Sequence, residues 1–346
     1  MKQLLTFILL IVSIYSSFGF NNGITPLPDT LYLSIDNYAR KCPESIKNDL
    51  TALVEYLQKG AKTDIEKARV IYVWITDNIN YDQEAFNTGK NGDYSAEGVL
   101  ESKNAICEGF SNLFYTLGIE LDLEIEKVHG YAKGYSYIDG MKFQKTNHAW
   151  NIIKIDGKWK LFDATWGQGY GTKVNNKLVC KKEFDSYWFD VDPYEAIFNH
   201  LPEDLEFEFV KPSIKLSTFE KLPNINKEYF KLGFNGKETY NAILSNITLE
   251  FPKCYNSGIQ VKAINAPKNN DLMLNANYQF EFYIPMGIDV AIIDSQNNWT
   301  YFNKNDGVFK VKYTPKFVGE IKISIRYENE KIRYYPIMTY DVKKKK

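Results

Sequence analysis

Three side chains far apart in the chain have types that could act together: Cys107, His148 and Asp163. A thiol becomes a nucleophile when it loses its proton. An imidazole can take that proton, and a carboxylate can orient the imidazole and stabilise its charged form. His148 and Asp163 flank Asp156-Gly157. A two-residue Asp-Gly loop signals a type I′ hairpin, because both central positions need positive φ. That turn sets Ile155 opposite Lys158, Ile153 opposite Lys160 and Trp150 opposite Asp163. Side chains alternate faces along a strand, so His148, Trp150 and Asp163 share one face. His148 and Asp163 become diagonal neighbours, roughly 7–8 Å or less between Cβ atoms.

The nucleophile needs its own support. After Cys107, the residues Phe110, Leu113, Phe114 and Leu117 repeat with the helical period, and Gly118 reads as a stop. Cys107 then falls in the first turn of a largely buried helix. Backbone N–H groups and the positive end of the helix dipole favour a thiolate there, and the same groups can hold a developing oxyanion. A lone buried cysteine is ordinarily inert packing, so the weight rests on the paired His148 and Asp163. His129 is the rival imidazole, but no carboxylate stands at hairpin register with it. His200, between an aromatic-rich segment and Pro202, reads as a structural residue closing the domain.

Trp150 and Trp166 are candidate substrate contacts, as are Trp74 and Tyr81, whose ordinary role would be core packing. Trp74 or Tyr81 is also the candidate second oxyanion donor. With 3 His and no CxxC, no zinc site is expected, nor any other metal or cofactor. Gly167, Gly169 and Gly171 precede no helix start, so they read as a flexible rim rather than a phosphate cradle.

Around these residues the pattern predicts an extended lead-in over 20–42, which carries Pro26 and Pro28. A helix from Pro43 to Gln58 follows. A second helix opens on Thr63 and Glu66, which have capping-box spacing, and carries Ile65, Ala68, Tyr72, Ile75 and Ile79. A loop at 82–94, a short helix at 95–100 and strands at 124–138 lead to the central hairpin. From 206 onward short alternating runs recur at 244–251, 260–264, 278–284, 289–294, 307–313, 320–327 and 333–342, separated by Asn, Gly and Pro. They predict an all-β, immunoglobulin-like sandwich. The expected division is 1–19, 20–205 and 206–346.

A chain of 346 residues holds about two domains. Aromatic content of 15% suits strands and extended binding surfaces, and a formal net charge of -1 gives no reason to expect nucleic acid as a partner. Residues 1–19 have the form of a secretory signal: Lys2, an apolar run from Leu4 to Tyr15, then Ser17-Phe18-Gly19. The run is too short to span a bilayer comfortably. The expected location is secreted or periplasmic, with room for cell-envelope association. Such a compartment permits disulfides among Cys42, Cys180 and Cys254, whose pairing stays open.

Several motifs in order resemble the transglutaminase-like superfamily: Ala105-Ile106-Cys107-Glu108-Gly109-Phe110, Val128-His129-Gly130-Tyr131, Asn147-His148-Ala149-Trp150-Asn151, and Trp159 with Asp163-Ala164-Thr165-Trp166-Gly167. The segment around Pro193, Phe198, His200 and Pro202 resembles its kyphoscoliosis peptidase branch. The resemblance covers about residues 60–205. It implies an α+β, papain-like core with helices on an antiparallel sheet, and it assigns Cys107, His148 and Asp163 as the triad. The expected activity is cysteine-dependent acyl transfer on peptide or glutamine-type amides, through a thioester, with a protein or peptide substrate. The family includes cross-linkers, proteases, deamidases and inactive relatives. The rival reading is therefore a catalytically silent binding or scaffold protein at the cell surface.

Overall fold

The computed structural model describes residues 31–90, 92–328 and 330–345; the signal read at 1–19 lies outside them. The hairpin forms as the turn predicts. Asp156 and Gly157 take φ of 50° and 74°, and Ile155 pairs with Lys158 and Ile153 with Lys160. Strands β4 (His148–Ile155) and β5 (Lys158–Phe162) are the middle of an antiparallel five-stranded sheet. Its order is β8-β5-β4-β3-β9, with β3 Ile125–Ala132, β8 Phe189–Val191 and β9 His200–Pro202.

Helices α1 (Leu33–Arg40), α2 (Leu50–Lys59), α3 (Asp64–Asn78), α4 (Gln83–Thr88), α5 (Ala96–Ser102) and α6 (Cys107–Glu120) precede the main sheet, and α7 (Ala164–Gln168) follows β5. The Thr63–Glu66 capping box closes on itself: Thr63 Oγ1 accepts the Glu66 N–H, and Glu66 Oε2 accepts the Thr63 N–H. Phe110, Leu113, Phe114 and Leu117 of α6 are buried with Trp74 and Phe162 in one core. Asn151 of β4 donates to the Ser111 carbonyl of α6 at 3.1 Å, which ties the sheet to the helix that carries Cys107.

Several local expectations are corrected. The lead-in contains α1, whose Asp36 receives Arg69 of α3 in a buried ion pair at 2.7 Å. The helix expected from Pro43 begins at Leu50, because Asp49 caps it through the Ala52 N–H. Residues 83–88 form α4 inside the expected loop. Gly118 lies within α6 and does not end it; a Cβ there would stand 2.8 Å from Ile125 Cδ1, so its role is close approach to β3. The expected rim at Gly167–Gly171 joins a hairpin, β6 (Gly169–Val174) and β7 (Lys177–Lys182), turned by Asn175 and Asn176 at positive φ.

The C-terminal part is all-β and consistent with a sandwich. One sheet runs β10-β19-β18-β14-β15, with β12 also paired to β19; the other runs β11-β13-β17-β16. Their ranges are β10 Lys253–Cys254, β11 Lys262–Asn265, β12 Asp271–Met273, β13 Tyr278–Tyr283, β14 Gly287–Ile293, β15 Trp299–Tyr301, β16 Asn303–Asn305, β17 Val308–Tyr313, β18 Gly319–Tyr327 and β19 Tyr335–Lys343. Phe280, Phe282 and Val311 from one sheet bury against Val290, Ile323, Met338 and Tyr340 from the other. The run 244–251 is not a strand: a helix over Gly236–Ser245, capped by Asn235, occupies its start. Phe143, Ile197, Phe198 and Leu201 join this second core, so residues before 206 contribute to it.

Candidate active site

Asp163 leaves β5 one residue past the last paired position and caps α7, where its Oδ1 accepts the Trp166 N–H at 2.9 Å. Its Oδ2 meets His148 Nε2 at 2.7 Å. The hairpin register therefore delivers the imidazole–carboxylate pair expected of it. Cys107 is the first residue of α6, and among the described residues no side chain caps that end. The helix thus brings backbone N–H groups to the sulfur without a competing acceptor. With Nε2 engaged by Asp163, the other nitrogen of His148 is the one left to face the thiol.

The electrostatics follow from this placement. Burial alone would push His148 down. The charge and hydrogen bond of Asp163, and then those of Cys107, outweigh burial and lift His148 to about 10. Burial would push Asp163 up. The charge and bond of His148 and the bond from His200 prevail and hold it well below the usual carboxylate range. A protonated His148 held by Asp163 and facing Cys107 is the partner a thiolate nucleophile requires.

His200 was read as structural, yet it stands on the triad. Its Nε2 lies 3.0 Å from the same Asp163 Oδ2. Burial holds its pKa below the ordinary value against the pull of Asp163, so it is neutral and donates its Nε2–H. Its Nδ1 has no partner among the described residues. Trp166, Trp150 and Trp188 surround it at 4.4, 5.1 and 5.1 Å between ring centroids. The sequence signal was faint: a histidine in an aromatic segment whose pairing partner, β3, lies far upstream. His148, Asp163 and His200 are also metal-ligand types with converging donor atoms. Here both ring nitrogens approach the carboxylate at hydrogen-bond distance, and a metal would have to displace those protons.

The remaining candidates separate. Trp166 and Tyr81 line a cavity of about 560 Å³ together with His148, Phe86, Tyr135 and Trp188. Burial first, and then the electrostatic influence of nearby Cys107, raise the Tyr81 phenol, so it stays protonated and able to donate. Trp150 is 1% exposed and stacks beneath His148 at 5.9 Å, a floor for the ring rather than a substrate contact. Trp74 is 0% exposed and packs near Cys42, with Lys103 Nζ 5.2 Å from its ring centroid. It reaches neither substrate nor oxyanion, so Tyr81 is the side-chain donor left. His129 binds Glu108 at 3.0 Å and takes no part in the triad. Cys42, Cys107, Cys180 and Cys254 are all free thiols.

Comparison with known proteins gives this geometry a lineage. Residues 51–164 match the model of the Transglutaminase-like superfamily. Kyphoscoliosis peptidase of Mus musculus is 29% identical over 209 residues, 60% of this chain and 31% of that protein. The Homo sapiens protein is 30% identical over 209 residues, 60% of this chain and 30% of its own length. Hillarin of Drosophila melanogaster is 28% identical over 262 residues, covering 72% and 31%. The chain spans about a third of the length of these relatives. This chain carries a domain of the transglutaminase-like superfamily, and its similarity to two kyphoscoliosis peptidases supports that branch.

Proposed function

We propose that this protein is a secreted cysteine-dependent acyl-transfer enzyme acting on peptide or glutamine-type amides. The observation that carries the reading is the convergence of Asp163, His148 and the helix-tip Cys107 beside an open cleft. In the reaction the Cys107 thiolate attacks the amide carbonyl carbon. The oxyanion draws on the Cys107 backbone N–H and the Tyr81 hydroxyl. The C–N bond breaks as His148 gives its proton to the departing amine, which leaves a thioester on Cys107. Neutral His148 then takes a proton from water or from an incoming amine. Attack on the thioester releases a carboxylic acid or a new amide and restores the thiol.

The test is a peptide library incubated with the full chain, with and without a small primary amine, and read by mass spectrometry. Cleavage, deamidation and amine incorporation give different mass changes. Cys107→Ala is expected to abolish all three while the fold persists. Unimpaired turnover by Cys107→Ala would refute the nucleophile. In parallel, iodoacetamide near neutral pH is expected to label Cys107 well ahead of Cys180, whose thiol burial pushes up to about 11. Equal rates would favour a silent binding protein.

A further inference from the structure

A second cavity, of about 750 Å³, also has Tyr81 in its wall. Tyr81, Gln168 and Cys180 stand in the walls of both cavities, so the two are adjacent parts of one trough. Cys107 itself is in neither wall, but two tyrosines of the second cavity lie within its electrostatic reach. Burial first, and the charge on Cys107 among the later causes, raise the phenols of both Tyr81 and Tyr94 in that cavity's wall.

The two halves differ in character. The triad side is walled by Phe86, Tyr135, Trp166 and Tyr170, and its two lysines are engaged, Lys227 with Asp185 and Lys133 with the Leu222 carbonyl. The far side carries Asp82, Glu84, Asp93 and Glu101. Among the described residues none of these four pairs with a lysine or arginine. Asp82 and Asp93 have local duties, accepting the Ala85 and Ser95 N–H groups at 2.8 and 2.9 Å. Glu84 and Glu101 are exposed and have no such side-chain bond. Lys182, the one cation in that wall among the described residues, turns its Nζ onto the Asp77 and Ile79 carbonyls at 2.6 and 3.2 Å.

An independent feature marks the junction. Gln168 is only 4% exposed, yet its side-chain amide makes no hydrogen bond to any described residue, and it lines both cavities. Its amide atoms are not sealed in the interior, so they are left to the solvent of the two cavities they line. A peptide backbone laid along the trough would supply both the acceptor and the donor this amide lacks.

We propose that the second cavity receives a lysine- or arginine-bearing stretch of the polypeptide substrate. Glu84 and Glu101 face its cations, and Gln168 bonds its backbone beside the reacting carbonyl. The proposal rests on Cys107 being the nucleophile and names what that nucleophile is offered. Clefts lined by one sign of charge concentrate ligands of the opposite sign, and added salt weakens the effect.

The experiment needs no known substrate. Cys107 in the full chain is labelled with two methanethiosulfonates, one bearing trimethylammonium and the other sulfonate, with iodoacetamide as a neutral reference; occupancy of each cysteine is read by peptide mass spectrometry. Relative to a small free thiol, the cationic reagent is expected to gain on the anionic one by about tenfold at low salt, the lower end of such focusing. The ratio should shrink severalfold in the Glu84→Gln/Glu101→Gln double variant and at high salt. Among peptides turned over from a library, lysine and arginine should be enriched on one side of the reacting residue. Rapid neutral labelling of Cys107 with no charge preference, or a preference untouched by the double variant, overturns this proposal and leaves the nucleophile standing. Neutral labelling of Cys107 no faster than of Cys180 removes the nucleophile, and the proposal falls with it.

Discussion

His148 and His200 share one oxygen of Asp163 but not one protonation state. The charged ring faces the thiol; the neutral one donates from behind and keeps the carboxylate turned toward its partner. His200→Leu removes that donor. Cys107 alkylation is expected to slow by about tenfold, the value of one lost hydrogen bond to a charged group, with the acid limb of its pH profile displaced. His200→Gln keeps a donor and should recover most of the rate, which simple loss of packing would not allow. His148 has a folded pKa of about 10, above its ordinary 6.5. Its stabilisation is therefore fully present below about pH 6.5 and is lost as pH rises through 10. Asp163 is depressed, so its contribution is present above the ordinary carboxylate value and lost in acid. The two describe one ion pair and count once. Unfolding free energy should plateau between about pH 4 and 6.5 and decline toward 10. Asp163→Asn should flatten that profile and cost about 3–5 kcal/mol in denaturant unfolding, since it strands a buried charge.

At the scale of elements, the hairpin is the part most exposed to a direct test. Gly157 has φ of 74° with no atom within 4 Å of an added Cβ. Gly157→Val thus meets backbone strain alone and should cost about 1–2 kcal/mol in chemical denaturation, with labelling of Cys107 retained because the strand pattern still holds the register. This hairpin was legible in the sequence because turn chemistry and alternation are both local. So was α6, whose apolar stripe needs only its own residues. What escaped depends on distant partners. His200 reaches Asp163 through the pairing of β9 with β3. Trp74 was misplaced because helical period says which residues share a face but not whether that face looks into a cleft. The helix over 236–245 was hidden because apolar residues near its end also fit a short strand. Asn235 at its cap was the overlooked signal.

Across the whole molecule, the two cores interlock. β9 completes the first sheet, while its Leu201 and the preceding Phe198 are buried in the second core. Polar ties run alongside: Lys133 Nζ to the Leu222 carbonyl at 2.6 Å, the Phe143 N–H to Glu220 at 2.9 Å, and Asn199 to Asn224 at 2.6 Å. A fragment ending at 205 is therefore expected to self-associate on size exclusion and to lose the fast labelling of Cys107. A fragment that folds with rapid labelling would show that the brace is dispensable. The family match ends at 164, one residue beyond the acid of the triad, while Trp166, Gln168, Cys180 and His200 all come later. Reactivity and appetite thus overlap along the chain: Glu84 and Glu101 of the trough fall inside the matched length, while Gln168 and Cys180 of its walls and His200 behind the acid fall in the later one. Drift in the later length can change what is eaten while the teeth stay the same, so relatives with identical triads need not share a diet.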